Sequence, residues 1–358
     1  MTMPAEPAEL DAARLLLSKM GISPADLVAE PAERKPIPTF SEYLPAVQRA
    51  VSVPTARAYS SYWRRLEEAW GSRRLDEPTP TEIKELAEVA KQQALVRRNS
   101  RGGRSAAENF IAAVRCVYRH AVDDQILLET ENPARRVAKP RRLPSLRHAL
   151  HEPLLVEINH VAATTGDDPE LDTLLLRLHT ETACRRGGAL ALRPRDLDET
   201  QCLVLLREKD GTSRLPSVSR TLMGQLLSHA TERGATHPDG PLLRYRTGEP
   251  ITKRRYDHLW NRLGRHIPSV RTQNISTHWL RHTTLTWVER HFGYATAHAF
   301  AGHADASDSA TITYIKADLT DIATALQTLT GEPHPLARKV MTAPAGGPVF
   351  LAGKAVRT

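Results

Sequence analysis

Apolar residues recur at helical spacing through most of this 358-residue chain. Tyr59, Trp63 and Leu66 share one helical face, and Phe110, Ile111, Val114 and Val117 share another. Three segments read as capping boxes, in which a hydroxyl and a glutamate three residues on satisfy each other's orphan amides: Thr39–Glu42, Thr79–Glu82 and Ser105–Glu108. Pro80 stands at a first helical position, where its missing N–H costs nothing. These signals predict four helices over residues 39–131, a small helical domain. Asn132-Pro133-Ala134 is expected to stop the last of them, since the residue before proline is pushed out of the α region. The period changes once. Two extended runs, Cys202–Arg207 and Arg214–Val218, flank Glu208-Lys209-Asp210-Gly211-Thr212-Ser213, and the Asp-Gly pair marks a hairpin. The rest of residues 150–330 reads as helical, closing with a helix at about Leu319–Thr330.

The ends have another texture. Residues 1–38 are rich in Ala, Pro and Glu, with short helical candidates at Leu10–Lys19 and after Ser23-Pro24, then a linker at Glu30–Pro38. They read as a loosely attached arm. Residues 331–358 carry prolines and glycines with little apolar periodicity, so a mobile tail is expected. Residues 132–149 read as a basic, proline-punctuated linker, with Arg135, Arg136, Lys139, Arg141 and Arg142. The expected fold is mainly α with a small β-hairpin, arranged as a two-domain, C-shaped clamp.

Composition narrows the class. At 41% hydrophobic and 25% charged the chain is globular, and no run of 18 apolar residues could cross a membrane. The start, MTMPAEPAEL, has no basic stretch before an apolar one, so no secretory signal is expected. Cys116, Cys184 and Cys202 form neither a CxxC pair nor a metal spacing, which points to a reducing, cytoplasmic setting. Charge says more. Lys+Arg 49 against Asp+Glu 41 leaves +8, and from Arg97 to Arg147 there are 12 basic and 5 acidic residues. Nearly the whole excess lies in one seventh of the chain, the footprint of a protein that binds a polyanion. Two domains on a positive tether suit a rod-shaped one, and duplex DNA is the obvious candidate.

Four segments of the second domain carry candidate chemistry: Thr182-Ala183-Cys184-Arg185-Arg186-Gly187-Gly188-Ala189-Leu190-Ala191-Leu192, the hairpin with Lys209, Thr277-His278-Trp279-Leu280-Arg281-His282-Thr283, and Ala301-Gly302-His303 followed by Thr313-Tyr314. Taken in order they resemble the tyrosine recombinase, or phage integrase, family. The resemblance spans roughly residues 39–330, and residues 39–131 resemble that family's helical, SAM-like core-binding domain. It implies a site-specific DNA recombinase that cleaves and rejoins DNA through a 3′-phosphotyrosyl link, integrating or excising a mobile element without metal, ATP or another cofactor. It further implies a protein monomeric when free and tetrameric across two double-stranded DNA sites.

Six catalytic residues follow from the resemblance: Arg185, Lys209, His278, Arg281, His303 and Tyr314. The chemistry is coherent. A metal-free attack on a phosphodiester builds charge on non-bridging oxygens, and arginine, always charged and forked, grips two of them. Arg185 and Arg281 are the candidates for that clamp, with Arg186 a competitor for the first role. Tyr314 is the expected nucleophile; its phenol, with an ordinary pKa near 10, needs a proton acceptor. His278 is the expected proton handler, with His303 a second hydrogen-bonding group on the phosphate. Lys209, the only lysine between Lys139 and Lys253, is the expected general acid for the leaving 5′ oxygen. Arg97, Arg98, Arg101, Arg104, Arg135, Arg136, Arg141 and Arg142 are the expected contacts to the DNA backbone. One departure stands out. Gly188 occupies a position where the family commonly has an acid, which opens the alternative of a non-catalytic DNA-binding relative. A type IB topoisomerase, sharing the chemistry, is the other alternative. His278 and His282, four apart, have a zinc-enzyme spacing, but the glutamate those enzymes place beside the first histidine is replaced by Trp279.

Overall fold

The computed structural model describes residues 7–20, 36–94, 102–141, 147–208, 211–302 and 319–338. The chain divides into two compact units, Met1–Leu143 and Pro144–Thr358. The arm helix α1 runs Pro7–Met20, and the helical candidate after Ser23-Pro24 lies outside the described residues.

In the first unit follow α2 (Phe40–Ala50), α3 (Val53–Trp70), α4 (Pro80–Gln92) and α5 (Arg104–Asp123). Their apolar faces meet in one core around Phe40, Trp63, Leu66, Ile83, Phe110 and Val114. The polar ends of its large aromatics are satisfied inside: the Trp63 indole donates to the Ala113 carbonyl at 3.1 Å, and the Tyr118 hydroxyl to that of Leu75 at 3.0 Å. Both threonine capping boxes form as expected. The third does not. Gly103, left-handed at φ 71, caps α5 without a side chain, and Ser105 lies inside the helix. A Cβ on Gly103 would stand 2.1 Å from the Lys91 carbonyl oxygen, so the close α4–α5 corner decides where the helix starts.

α5 also ends earlier than expected. It stops at Asp123, with Gln125 left-handed at φ 59 and the amides of Ile126 and Leu127 turning back onto the Ala121 carbonyl. Pro133 opens a short 3₁₀ turn, Pro133–Arg136, whose first free amide, on Ala134, is capped by the Asn132 side chain. Ala134 and Val137 are buried in the first unit's core, and the Arg115 guanidinium donates to the Val137 carbonyl at 2.7 Å. The opening of the stretch read as linker is therefore packed against α5.

The second unit comprises α6 (Glu152–Thr164), α7 (Pro169–Thr182), α8 (Arg186–Leu190), α9 (Arg220–Glu232), α10 (Lys253–His266), α11 (Pro268–Thr272), α12 (Thr277–Ala301) and α13 (Leu319–Thr330). α7 lies between two cores. Leu176 faces the cluster of Ile158, Leu263, Val288 and Leu326, while Leu171, Leu175 and Leu178 face that of Val204, Leu206, Leu222 and Tyr256. Burial on two sides explains its run of leucines. α12 breaks at Gly293, where φ is 82 and ψ 170.

The hairpin is present but short. β3 (Leu206–Arg207) pairs antiparallel with β4 (Ser213–Arg214), matching Leu206 to Arg214. A second two-stranded ladder, unexpected from sequence, joins β1 (Leu197–Asp198) to β2 (Leu203–Val204). The first residues of the expected tail are anchored. The Glu332 carboxylate accepts from Arg177 at 2.6 Å and from the Thr221 amide at 3.1 Å, and His334 is buried. A single polar anchor of this kind leaves no trace in apolar periodicity. Among the described residues no helix is long and apolar enough to cross a membrane.

Candidate active site

The site is built on the C-terminal end of α7, the hairpin and α12. At the end of α7 the chain turns through Ala183, left-handed at φ 49 and fully buried. That turn directs the Ala183 carbonyl to the Arg281 guanidinium and leaves Arg185 at the start of α8. α12 is tied by hydroxyls to the end of α7 and to the segment ahead of α6. Thr284 donates to the Thr180 carbonyl at 2.7 Å, and Thr283 accepts from the Leu150 amide at 2.9 Å. His278 and Arg281, three apart on α12, are thereby fixed relative to Arg185.

Arg281 is buried, and its second nitrogen donates to the Ala301 carbonyl at 2.9 Å, near the end of α12. Burial, then the charges of Arg185 and Arg214, push its guanidinium down to about 10. Arginines seldom leave the fully protonated range, so a shift in this direction reports several cations crowded into a low-dielectric place. An anion arriving there would relieve that crowding. His278 lies within the field of the same group. Partial desolvation, followed by the charges of Arg147, His282, Arg281 and Arg185, pushes its imidazole down to about 4. It is therefore neutral near pH 7 and able to accept a proton. Its ring meets that of His282 edge to face, centroids 4.9 Å apart.

Arg185, His278 and Arg281 are thus brought together. Arg186, the competitor for the first role, points elsewhere, its guanidinium 3.6 Å from the Asp257 carboxylate. Lys209, His303 and Tyr314 lie outside the described residues. Of the expected DNA contacts, Arg104, Arg135, Arg136 and Arg141 are exposed, and Arg97, Arg98, Arg101 and Arg142 lie outside the described residues.

Three further side chains belong to the group, and sequence reasoning passed over all of them. The Arg214 guanidinium, on β4, donates to the Thr182 carbonyl at 2.9 Å and to that of Phe300 at 3.0 Å. Glu208, at the end of β3, holds Arg185 twice: its carboxylate accepts from the Arg185 amide at 2.9 Å and pairs with the guanidinium. The same carboxylate meets Arg214 at 3.2 Å. Burial would raise the Glu208 carboxyl, but the Arg214 charge, the Arg185 amide and the Arg185 charge more than offset it, and its pKa is lowered. Arg147, ahead of α6, adds its charge to His278 and His282. The available signal was position: Glu208 directly precedes Lys209, and Arg214 opens the second extended run.

Residues 149–320 match the model of the phage integrase family. Among curated proteins nothing matches the chain. Solved structures do. A lambda integrase (75–356) dimer bound to a COC′ core site aligns with a TM-score of 0.56 at 15% identity, over 76% of this chain and 97% of that one. The Tn1549 transposon integrase in complex with a circular intermediate DNA aligns with 0.58 at 16%, over 78% and 95%. The XerH site-specific recombinase bound to a palindromic difH substrate aligns with 0.56 at 16%, over 74% and 78%. At such identities the likeness concerns the fold.

Proposed function

We propose that this chain, whose residues 149–320 match the phage integrase family, acts as a tyrosine recombinase: Tyr314 attacks a phosphodiester of its DNA site, forming a 3′-phosphotyrosyl link and releasing a 5′-hydroxyl. A partner strand's 5′-hydroxyl then attacks that link, restores the phosphodiester and frees the tyrosine. Each step exchanges one phosphate ester for another, so bond energy is conserved and no external energy source is needed.

The observation that carries the proposal is the cluster of Arg185, Arg214 and Arg281 around one carboxylate. Three guanidiniums against one glutamate leave positive charge unbalanced within the second unit, beside a histidine held neutral. A DNA phosphate supplies the missing anion. Arg185 and Arg281 then stabilise the charge that develops on its non-bridging oxygens, where preorganised donors act most strongly. Neutral His278 takes up the phenolic proton as Tyr314 attacks. Lys209 protonates the departing 5′ oxygen, and His303 donates to the phosphate.

The expected partner is double-stranded DNA, gripped along its backbone by Arg104, Arg135, Arg136 and Arg141 together with Arg97, Arg98, Arg101 and Arg142. The lambda integrase tetramer on a Holliday junction supports assembly of four protomers on two sites. A mobile element is the expected context, and the cytoplasm the expected compartment.

Tyr314→Phe tests the central step. With a nicked duplex built on the DNA flanking the coding sequence in its genome, the wild type should trap a covalent protein–DNA adduct and the variant none. An adduct of normal yield from the variant would remove Tyr314 from its role. Relaxation of any supercoiled plasmid, whatever its sequence, would instead favour a topoisomerase.

A further inference from the structure

Gly188 is buried on α8, and the space beside it is filled. A Cβ built there would lie 3.2 Å from Glu208 Cγ, 3.5 Å from Glu208 Oε1 and 3.4 Å from the Arg207 carbonyl oxygen. A side chain at position 188 would thus enter the space that Glu208 occupies. The Glu208 side chain is 1% exposed. A carboxylate so buried is costly unless its charge is matched, and its partners match it: the Arg185 amide, the Arg185 guanidinium and the Arg214 guanidinium.

Arg214, which pairs with this carboxylate, and Arg281, whose charge lies in its field, connect to the rest of the site by a shared pattern. Arg214 holds the carbonyls of Thr182 and Phe300, and Arg281 holds those of Ala183 and Ala301. Two guanidiniums therefore staple the same pair of chain segments, the end of α7 and the end of α12, in adjacent registers. Both carry positive charge into one small volume, together with Arg185. Glu208 is the carboxylate that offsets them, and it does so from the hairpin. Its own amide donates to the Thr212 carbonyl at 2.8 Å, which holds Glu208, the residue before Lys209 in the sequence, against the residue that precedes β4.

We propose that Glu208 is a positioning residue of this recombinase, supplying from the hairpin the carboxylate that Gly188 lacks and fastening the end of β3 to Arg185. Through Arg185 it sets one arm of the phosphate clamp; through Arg214 it steadies the two carbonyl staples beside Arg281. The glycine and the glutamate are one arrangement: the absence of a side chain at 188 makes room for the hairpin carboxylate. The inference rests on the recombinase reading, and it makes the missing acid at 188 compatible with full activity.

Two variants separate this role from a merely structural one. Glu208→Gln keeps shape and removes charge. Glu208→Ala combined with Gly188→Glu moves the carboxylate to α8, where the backbone is helical and the removal of the Glu208 side chain opens the space. The assay is single-turnover adduct formation on the nicked flanking-DNA duplex, with duplex affinity and thermal unfolding measured alongside. Glu208→Gln is expected to bind DNA nearly as the wild type does while forming adduct about tenfold to a hundredfold more slowly, the scale of losing a partner that orients a side chain in contact with the reacting group. The double variant is expected to recover most of that rate relative to Glu208→Ala alone. Wild-type cleavage by Glu208→Gln overturns the proposal. So does a rate loss that merely follows lost DNA affinity, or a folded double variant as slow as Glu208→Ala. A wild-type protein that forms no adduct strikes the recombinase reading itself, and the proposal with it.

Discussion

Gly302 shows how narrowly single residues constrain this site. It closes α12 in the left-handed region, φ 65, and a Cβ there would stand 2.1 Å from Arg214 Cδ. Backbone and packing therefore demand glycine independently: an L side chain is strained at that φ, and its methyl would displace the arginine that joins Thr182 to Phe300. Gly302→Ala is expected to lower stability by about 1–3 kcal/mol, combining the left-handed strain with overpacking. It should also slow adduct formation, because Arg214 can no longer hold both carbonyls. Urea unfolding and the adduct assay check the two effects, and an unchanged cleavage rate would detach Arg214 from the site. Ala183 is the converse case, a non-glycine residue held left-handed at φ 49. The Ala183 carbonyl pays its way by receiving Arg281.

At the scale of elements, what was legible followed from local physics. α2 to α5 each bury one amphipathic face, and α13 runs Leu319–Thr330, as apolar spacing predicts. The two threonine capping boxes were readable because every bond in them spans three residues. Ser105–Glu108 has the same spacing, yet Gly103 starts the helix, because contact with Lys91 lies outside any local window. The same limit hid Glu208. Its partnership with Arg185 spans 23 positions, and periodicity carries no record of it. Arg185, His278 and Arg281 stood out through their motifs, whereas Arg214 and Arg147 became visible only when the elements were assembled. The α4–α5 corner yields a prediction of its own. Gly103→Ala places a methyl on the Lys91 carbonyl at a left-handed φ, so the first unit should lose about 1–3 kcal/mol. Thermal unfolding would show it, and an unchanged midpoint would mean that the corner can relax.

Across the whole molecule, buried histidines make stability depend on pH. His179 accepts no charge easily: burial pushes its imidazole down to about 4, and its two nitrogens are engaged by the Cys184 carbonyl and the Tyr256 hydroxyl, each at 3.0 Å. His229 is also pushed to about 4, by burial and then by the Arg233 charge, with Asp168 opposing. Its Nε2 accepts from the Arg244 amide at 3.1 Å, which requires that nitrogen to be unprotonated. In the unfolded chain both rings titrate near 6.5, so below that value the unfolded state binds protons that the folded state refuses. Their stabilising contribution is complete above about pH 6.5 and is lost as the pH falls toward 4. Each histidine should cost on the order of 2 kcal/mol between pH 7 and pH 5. The carboxyls of Asp172 and Glu181, raised by burial, work in the opposite sense and gain protons in the folded state. The histidine effect is therefore read as a difference. His229→Gln keeps an acceptor for the Arg244 amide and cannot titrate, so its urea-unfolding free energy should fall by about 2 kcal/mol less than that of the wild type over this pH interval. Equal losses in the two proteins would mean that His229 takes up its proton without unfolding, and that the Arg244 amide can find another partner.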